Sequence, residues 1–319
     1  MNILLSPAAT AAALPWLPLI DEIEVLLKDA SVRVPPRTVV PMAGGAFLFA
    51  MPGADTRTAM TKLITFTPAN AGTARPTIQG DVTVFDVATG ERRLILDGPT
   101  VTARRTAAVS ALAARHLAPT LKGPMLIVGA GVQGLAHIQA FHALGVDEFR
   151  IHSRRAESAQ ALLHSAKALG ARAQHVADAD AALPDCPLVA TCTPASAVVL
   201  RAMPRNDAFM AAVGAFTPAM VELGASLCLH AQERGRIVLD ARDAAHEAGD
   251  LLQAGIHTAG LPTLADVIGA SRFGRTDGPV IFKSCGWAGW DLAAARLAAR
   301  AAAWRSPTDR ASGSPADGA

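Results

Sequence analysis

Charge of one sign is the first thing this sequence lacks: 29 Lys and Arg stand against 27 Asp and Glu, a net +2, with no long basic run and no aromatics interleaved among cations. Nucleic acid, which is held through clustered cations, is therefore not an expected partner. Also missing is an uncharged apolar run near the roughly 20 residues that a membrane span requires, so no membrane is expected either. Cysteine is scarce, and Cys186, Cys192, Cys228 and Cys285 form neither a CxxC pair nor a zinc-like spacing. No metal is expected, and a reducing, cytoplasmic setting fits a chain whose core has no need of disulfides. The N-terminal stretch up to Leu27 is apolar but has no basic start and runs into Asp21 and Glu22. It reads as a strand and an amphipathic helix rather than a signal peptide.

What is present is enough apolar material for a sizeable core, 51% of 319 residues against 18% charged, with length for two domains. From Arg33 to Asp97 the segments GAFLFAM, TKLITFT, TIQGDVTVFD and RRLILD alternate as strands, with a turn at Ala88 to Gly90, and predict a mostly antiparallel sheet. Small and apolar residues then recur at helical spacing from Thr102 to Leu117. Beyond Pro119 strands and helices alternate (MLIVGAG, FRIHS, LVATCT, FMAAVGA, RIVLDA), the pattern of parallel βαβ units. The fold class expected is α/β: residues 1–119 as one domain, 120–288 as a Rossmann dinucleotide-binding domain, an Ala-rich helix over about 289–305 returning to the first domain, and a disordered tail over 306–319.

The strongest motif is VGAGVQG, with Gly129, Gly131 and Gly134 in GxGxxG spacing around Val132 and Gln133, directly after an apolar strand and before a helix. Such a turn needs glycine freedom, and a pyrophosphate needs close backbone approach to a helix N-terminus. After the next strand stand Ser153, Arg154 and Arg155, where a cofactor with a free ribose 2′-hydroxyl calls for a carboxylate. A hydroxyl and two guanidiniums accept a 2′-phosphate instead, so NADPH is expected over NADH.

Two further cations sit on apolar faces. The period of two puts Lys62 beside Ile64 and Phe66, and helical spacing aligns Arg105 with Val109 and Leu112. Taking Thr102 as the helix start, Arg105 falls in a first turn, where a cation opposes the macrodipole unless an anion joins it. With Arg37, which follows two prolines, they suggest a carboxylate-bearing substrate. The alternatives are that Lys62 snorkels to a sheet edge and that Arg105 pairs with Asp86 or Asp97.

The blocks MPG (51–53), TKLITF (61–66), TARRTAAVSALAARHLAP (102–119), VGAGVQG (128–134), AVGAFTPAMVEL (212–223), EAGDLL (247–252) and FKSCGWA (282–288) resemble the ornithine cyclodeaminase/μ-crystallin family over nearly the whole chain. The resemblance implies a homodimer joined through the N-terminal α/β domain. It implies substrate-carboxylate and catalytic positions at Arg37, Lys62 and Arg105, and cofactor approach by Thr77, Cys192, Thr193, Val213, Ser284 and Cys285. Glu247 matches another cleft position, with a helix-capping role as the alternative. Cyclodeaminases carry an aspartate where this chain has Phe216, and a phenyl ring does no proton chemistry. The expectation is therefore the ketimine reductase branch: NADPH-dependent reduction of an imino acid, Δ1-pyrroline-2-carboxylate or Δ1-piperideine-2-carboxylate. The rivals are ornithine cyclodeamination, an alanine dehydrogenase-like or opine-type reaction, and small-ligand binding.

Overall fold

The computed structural model describes residues 4–71, 73–270 and 277–303, so the expected tail lies outside the described residues. The chain opens with two helices, α1 (Pro7–Ala13) and α2 (Trp16–Leu27). Leu5 donates its N–H to the Ile95 carbonyl at 2.9 Å, but the strand expected at the N-terminus amounts to an isolated bridge at Leu4. Ser6 caps α1 through the Ala9 N–H, and Pro15, which has no N–H to continue a helix, stands between α1 and α2.

Then come β1 (Thr38–Pro41), β2 (Phe47–Ala54), β3 (Thr58–Phe66), β4 (Ile78–Asp86) and β5 (Arg92–Asp97), a five-stranded sheet with neighbours paired antiparallel in chain order. The expected turn at Ala88 is held by Asp86, whose carboxylate accepts the Ala88 N–H at 3.0 Å. Helix α3 (Gly98–Leu117) starts four residues earlier than the apolar spacing suggested. Asp97 caps it through Thr100, and Pro99 fits its first turn, where no N–H is needed. Arg105 is thus about two turns into the helix, and the macrodipole argument for it does not hold.

The second sheet contains β6 (Met125–Val128), β7 (Glu148–His152), β8 (Arg172–His175), β9 (Leu188–Thr191), β10 (Phe209–Ala212), β11 (Arg236–Leu239) and β12 (Val280–Lys283). Its order is β11-β12-β10-β9-β6-β7-β8 and every pairing is parallel. β8, an exposed edge strand reading RAQH, has no apolar alternation and escapes sequence reasoning. The interleaved helices are α4 (Val132–Ala143), α5 (Ala156–Ala168), α6 (Ala179–Ala182), α7 (Ala225–Arg234), α8 (Gly249–Gln253) and α9 (Leu264–Gly269). Chain order diverges on the two sides of β6, so the ends of β6 and β9 flank the switch point where open α/β sheets bind ligands.

α10 (Ala288–Ala303) leaves this sheet and packs on α2, α3, β2 and β3. It is apolar enough to be buried along Trp290, Leu292, Ala293, Ala294 and Ala295. Two arginines anchor it there: the buried Arg296 meets Glu22, Asp29 and Asp55, and the exposed Arg300 also bonds Glu22. Among the described residues no helix is long and apolar enough to cross a membrane.

Candidate active site

A cavity of about 400 Å³ opens between the two sheets. One wall comes from β3, where period-two alternation turns Lys62, Ile64 and Phe66 to the same side. Arg105 and Thr106 of α3 enter beside them, together with Arg37 from the segment before β1 and Thr77 before β4. The facing wall is made by the C-terminal ends of the parallel strands: Gly131, Val132 and Gln133 after β6, Cys192 and Thr193 after β9, Val213 and Phe216 after β10, Ser284 and Cys285 after β12.

The cation side is organised by one carboxylate that the sequence reading missed. Asp291, in the first turn of α10, is wholly buried, and its Oδ1 accepts a hydrogen bond from Lys62 Nζ at 3.1 Å and lies 3.3 Å from Arg105 Nε. Neither of the expected alternatives holds: Lys62 is 1% exposed and does not snorkel, while Asp86 holds a turn and Asp97 caps a helix. Burial pushes the Lys62 ammonium down to about 8, with Asp291 opposing the shift and Arg105 and Arg37 adding to it. The Arg105 guanidinium turns its Nη1/Nη2 edge toward Gly286, where a Cβ would come within 3.2 Å of both terminal nitrogens. That glycine also sits at φ +91, where side chains are strained.

Arg37 bonds Glu247 and lies with its guanidinium carbon 5.6 Å from the Phe49 ring centroid. Glu247 itself does not line the cavity but stands behind Arg37, and it caps no helix, because α8 begins after Ala248. Burial raises the Glu247 carboxyl to about 7 against the pull of Arg37. Three cations thus face two carboxylates, an imbalance that favours an anionic ligand. Farther along the same β3 face Phe66 meets Phe216 of the facing wall edge to face at 5.8 Å, an apolar surface suited to hydrocarbon.

On the parallel-sheet side the glycines do what their spacing suggests. Gly129 has φ +112, and a Cβ on Gly134 would lie 2.2 Å from the Gly129 carbonyl oxygen, so neither position has room for a side chain. Gly131 differs: a Cβ there would meet nothing, and it begins α4 without any side-chain cap. Open space at a glycine and uncapped helix N–H groups fit an anionic group approaching the backbone. Ser153, Arg154 and Arg155 stand outside the cavity, just beyond β7, with both arginines exposed.

Beneath this wall lie further carboxylates that motif reading passed over. Glu222, fully buried, accepts from the Thr193 N–H (2.6 Å) and hydroxyl (2.7 Å), the Thr191 hydroxyl (2.9 Å) and the Gly214 N–H (2.7 Å), tying the ends of β9 and β10 together. Asp250 accepts from the Glu222 and Leu223 N–H groups and, at 2.6 Å, from the buried Lys283. Asp240 accepts from the Ser284 hydroxyl at 2.8 Å and the Gly286 N–H at 2.9 Å, fixing the loop against which Arg105 packs. Burial raises the Cys192 and Cys285 thiols, so both line the cavity as protonated, unreactive groups.

A profile of the ornithine cyclodeaminase/mu-crystallin family matches residues 13–303. The chain is 39% identical to Delta(1)-pyrroline-2-carboxylate reductase 2 of Burkholderia ambifaria over 83% of each chain. It is 38% identical to the Delta(1)-pyrroline-2-carboxylate/Delta(1)-piperideine-2-carboxylate reductase of Azospirillum brasilense, over 93% of this chain and 95% of that one. Its fold matches that of Thermococcus litoralis Delta(1)-pyrroline-2-carboxylate reductase, solved with NADH and L-proline, with a TM-score of 0.87 at 22% identity over 95% and 98% of the two chains.

Proposed function

The chain belongs to the ornithine cyclodeaminase/mu-crystallin family, and on that premise we propose that it reduces a cyclic imino acid, Δ1-pyrroline-2-carboxylate or Δ1-piperideine-2-carboxylate, to L-proline or L-pipecolate. The observation that carries this reading is the cavity itself: Lys62, Arg105 and Arg37 in one group, the apolar pair Phe66 and Phe216 beside them, and a glycine turn with an uncapped helix opposite. Its relatives of 38–39% identity bear the names of such reductases.

Lys62 and Arg105 bind the substrate carboxylate. Asp291 keeps both cations in place without neutralising them, since one carboxylate serves two positive groups. Phe66 and Phe216 pack against the ring and keep water from it. Holding acid and ring at fixed positions turns C2 toward the reductant, and orientation of this kind is the principal catalytic contribution of the cavity. A nicotinamide dinucleotide would be held by Gly129 through Gly134, with Thr77, Thr193, Val213 and Ser284 around its reactive end, and supplies the hydride. Phe216 in place of an acid argues against deamination chemistry.

NADPH is the preferred form in this reading, because Ser153, Arg154 and Arg155 follow β7, where a 2′-phosphate lies in folds of this type. Replacing both arginines by alanine is expected to raise the KM for NADPH by about tenfold or more and to leave that for NADH nearly unchanged. We also propose a homodimer joined across the first sheet, supported by Val39, Val40 and Leu63, which leave apolar surface 42–50% exposed there. The activity is tested by following nicotinamide absorbance with each imine acid and each cofactor. Oxidation of NADPH with at least one of them is expected, and no oxidation with either imine would overturn the reading.

A further inference from the structure

Lys62 and Arg105 are both committed to the buried Asp291, but Arg37 is placed differently. Its side chain is a fifth exposed, it lies over the Phe49 ring, and its one carboxylate partner among the described residues, Glu247, is about as exposed as it is. Arg37 lines the cavity and Glu247 does not, so the guanidinium screens the carboxyl from the space where a substrate sits. Glu247 Oε1 accepts from Arg37, while Oε2 is buried and has no hydrogen-bond partner among the described residues. A buried oxygen without a donor is costly unless something else reaches it.

We propose that Arg37 exchanges partners in the catalytic cycle: it leaves Glu247 for the carboxylate of the incoming imine acid, and the uncovered Glu247 carboxyl donates its proton to the ring nitrogen. This rests on the imine-acid reading and adds to it the source of the proton. The exchange couples binding to protonation. Glu247 faces Arg37 from the segment before β1, Asp240 at the end of β11, Asp243 on its own turn and Cys285 after β12. Burial and the two aspartates favour its protonated form, and Arg37 alone among these opposes them. Departure of the guanidinium removes that opposition, so Glu247 takes a proton from water as the substrate arrives. In the transfer the O–H bond of Glu247 breaks and an N–H bond forms on the nitrogen lone pair. The C=N π electrons then pass to nitrogen as C2 accepts the hydride that the reduced nicotinamide supplies. On product release Arg37 returns to the Glu247 carboxylate.

Glu247→Gln keeps the hydrogen bond to Arg37 but has no acidic proton, and is expected to lower kcat for the imine acid about a hundredfold. Furan-2-carboxylate, a planar ring acid with an acceptor oxygen at the nitrogen position, provides a readout without turnover. Calorimetry near pH 8 in buffers of different ionisation enthalpy should register greater proton uptake on its binding to the wild-type protein than to E247Q, Lys62 contributing alike to both. Glu247→Asp, which retains a carboxyl, should recover part of the lost kcat and of the uptake. Equal uptake in wild type and E247Q, with kcat unchanged, would overturn the exchange alone. A wild-type protein that reduces neither imine acid would overturn the functional reading and the exchange with it.

Discussion

Lys62→Met is expected to lower kcat/KM for the imine acid by about 10²- to 10³-fold, with dinucleotide affinity nearly unchanged. Lys62 is buried on β3, where it lines the cavity and only 1% of its surface is exposed. A charge-assisted hydrogen bond is worth about 1.5–3 kcal/mol even when water competes, and it strengthens in a low-dielectric site. Methionine matches the length of the lysine stem and removes only the charge, so packing on the sheet survives. Asp291 keeps Arg105 as a partner. Fluorescence titration with NADPH separates the roles: equal loss of nucleotide affinity and turnover would reassign Lys62 to the cofactor. The charge requirement also has a pH signature. Lys62 binds an anion only while protonated, so kcat/KM should fall as pH rises through about 8, the value to which burial lowers this ammonium.

Asp291→Ala is expected to be the more disruptive change, costing about 3–5 kcal/mol of stability, because it leaves two buried cations without their carboxylate. The relevant contacts are Lys62 Nζ at 3.1 Å and Arg105 Nε at 3.3 Å on the same oxygen. Asp291 also belongs to α10, so the loss loosens the return of that helix onto β2, β3 and α3. Urea unfolding measures the cost. Asp291→Asn, which keeps shape but not charge, should destabilise less and shift the alkaline limb of kcat/KM to lower pH, since Asp291 is the charge that holds the Lys62 value up. A limb that stays in place would mean that Asp291 does not set the charge of Lys62.

These residues show where sequence reasoning reaches and where it stops. Period-two alternation in TKLITFT is a local property, so Lys62 was legible as an inward cation, and helical spacing did the same for Arg105. The GxGxxG turn was legible because each glycine meets a steric demand within its own βαβ unit: Gly134 packs on the Gly129 carbonyl. Partners were not. Asp291 lies in an Ala-rich helix whose first turn favours acids on local grounds alone, and only the packing of α10 against β3 brings it to Lys62. Glu222, Asp240 and Asp250 likewise satisfy N–H groups that converge only once the parallel strands are side by side. The start of α3 was misjudged because its first turn, Gly98 to Val101, carries a cap and a proline rather than the apolar repeat. β8 was missed because an exposed edge strand has no buried face to impose a pattern.

The central claim is that inward cations pin the acid group of a cyclic imine so that its C=N carbon is reduced. It is tested most directly by the ratio of kcat/KM for Δ1-pyrroline-2-carboxylate to that for 1-pyrroline, the same ring without the acid, with NADPH in both. The account predicts a ratio of about 10³ or more, since Lys62, Arg105 and Arg37 then have no anion to hold. A ratio near one, or no reduction of either compound, would contradict it.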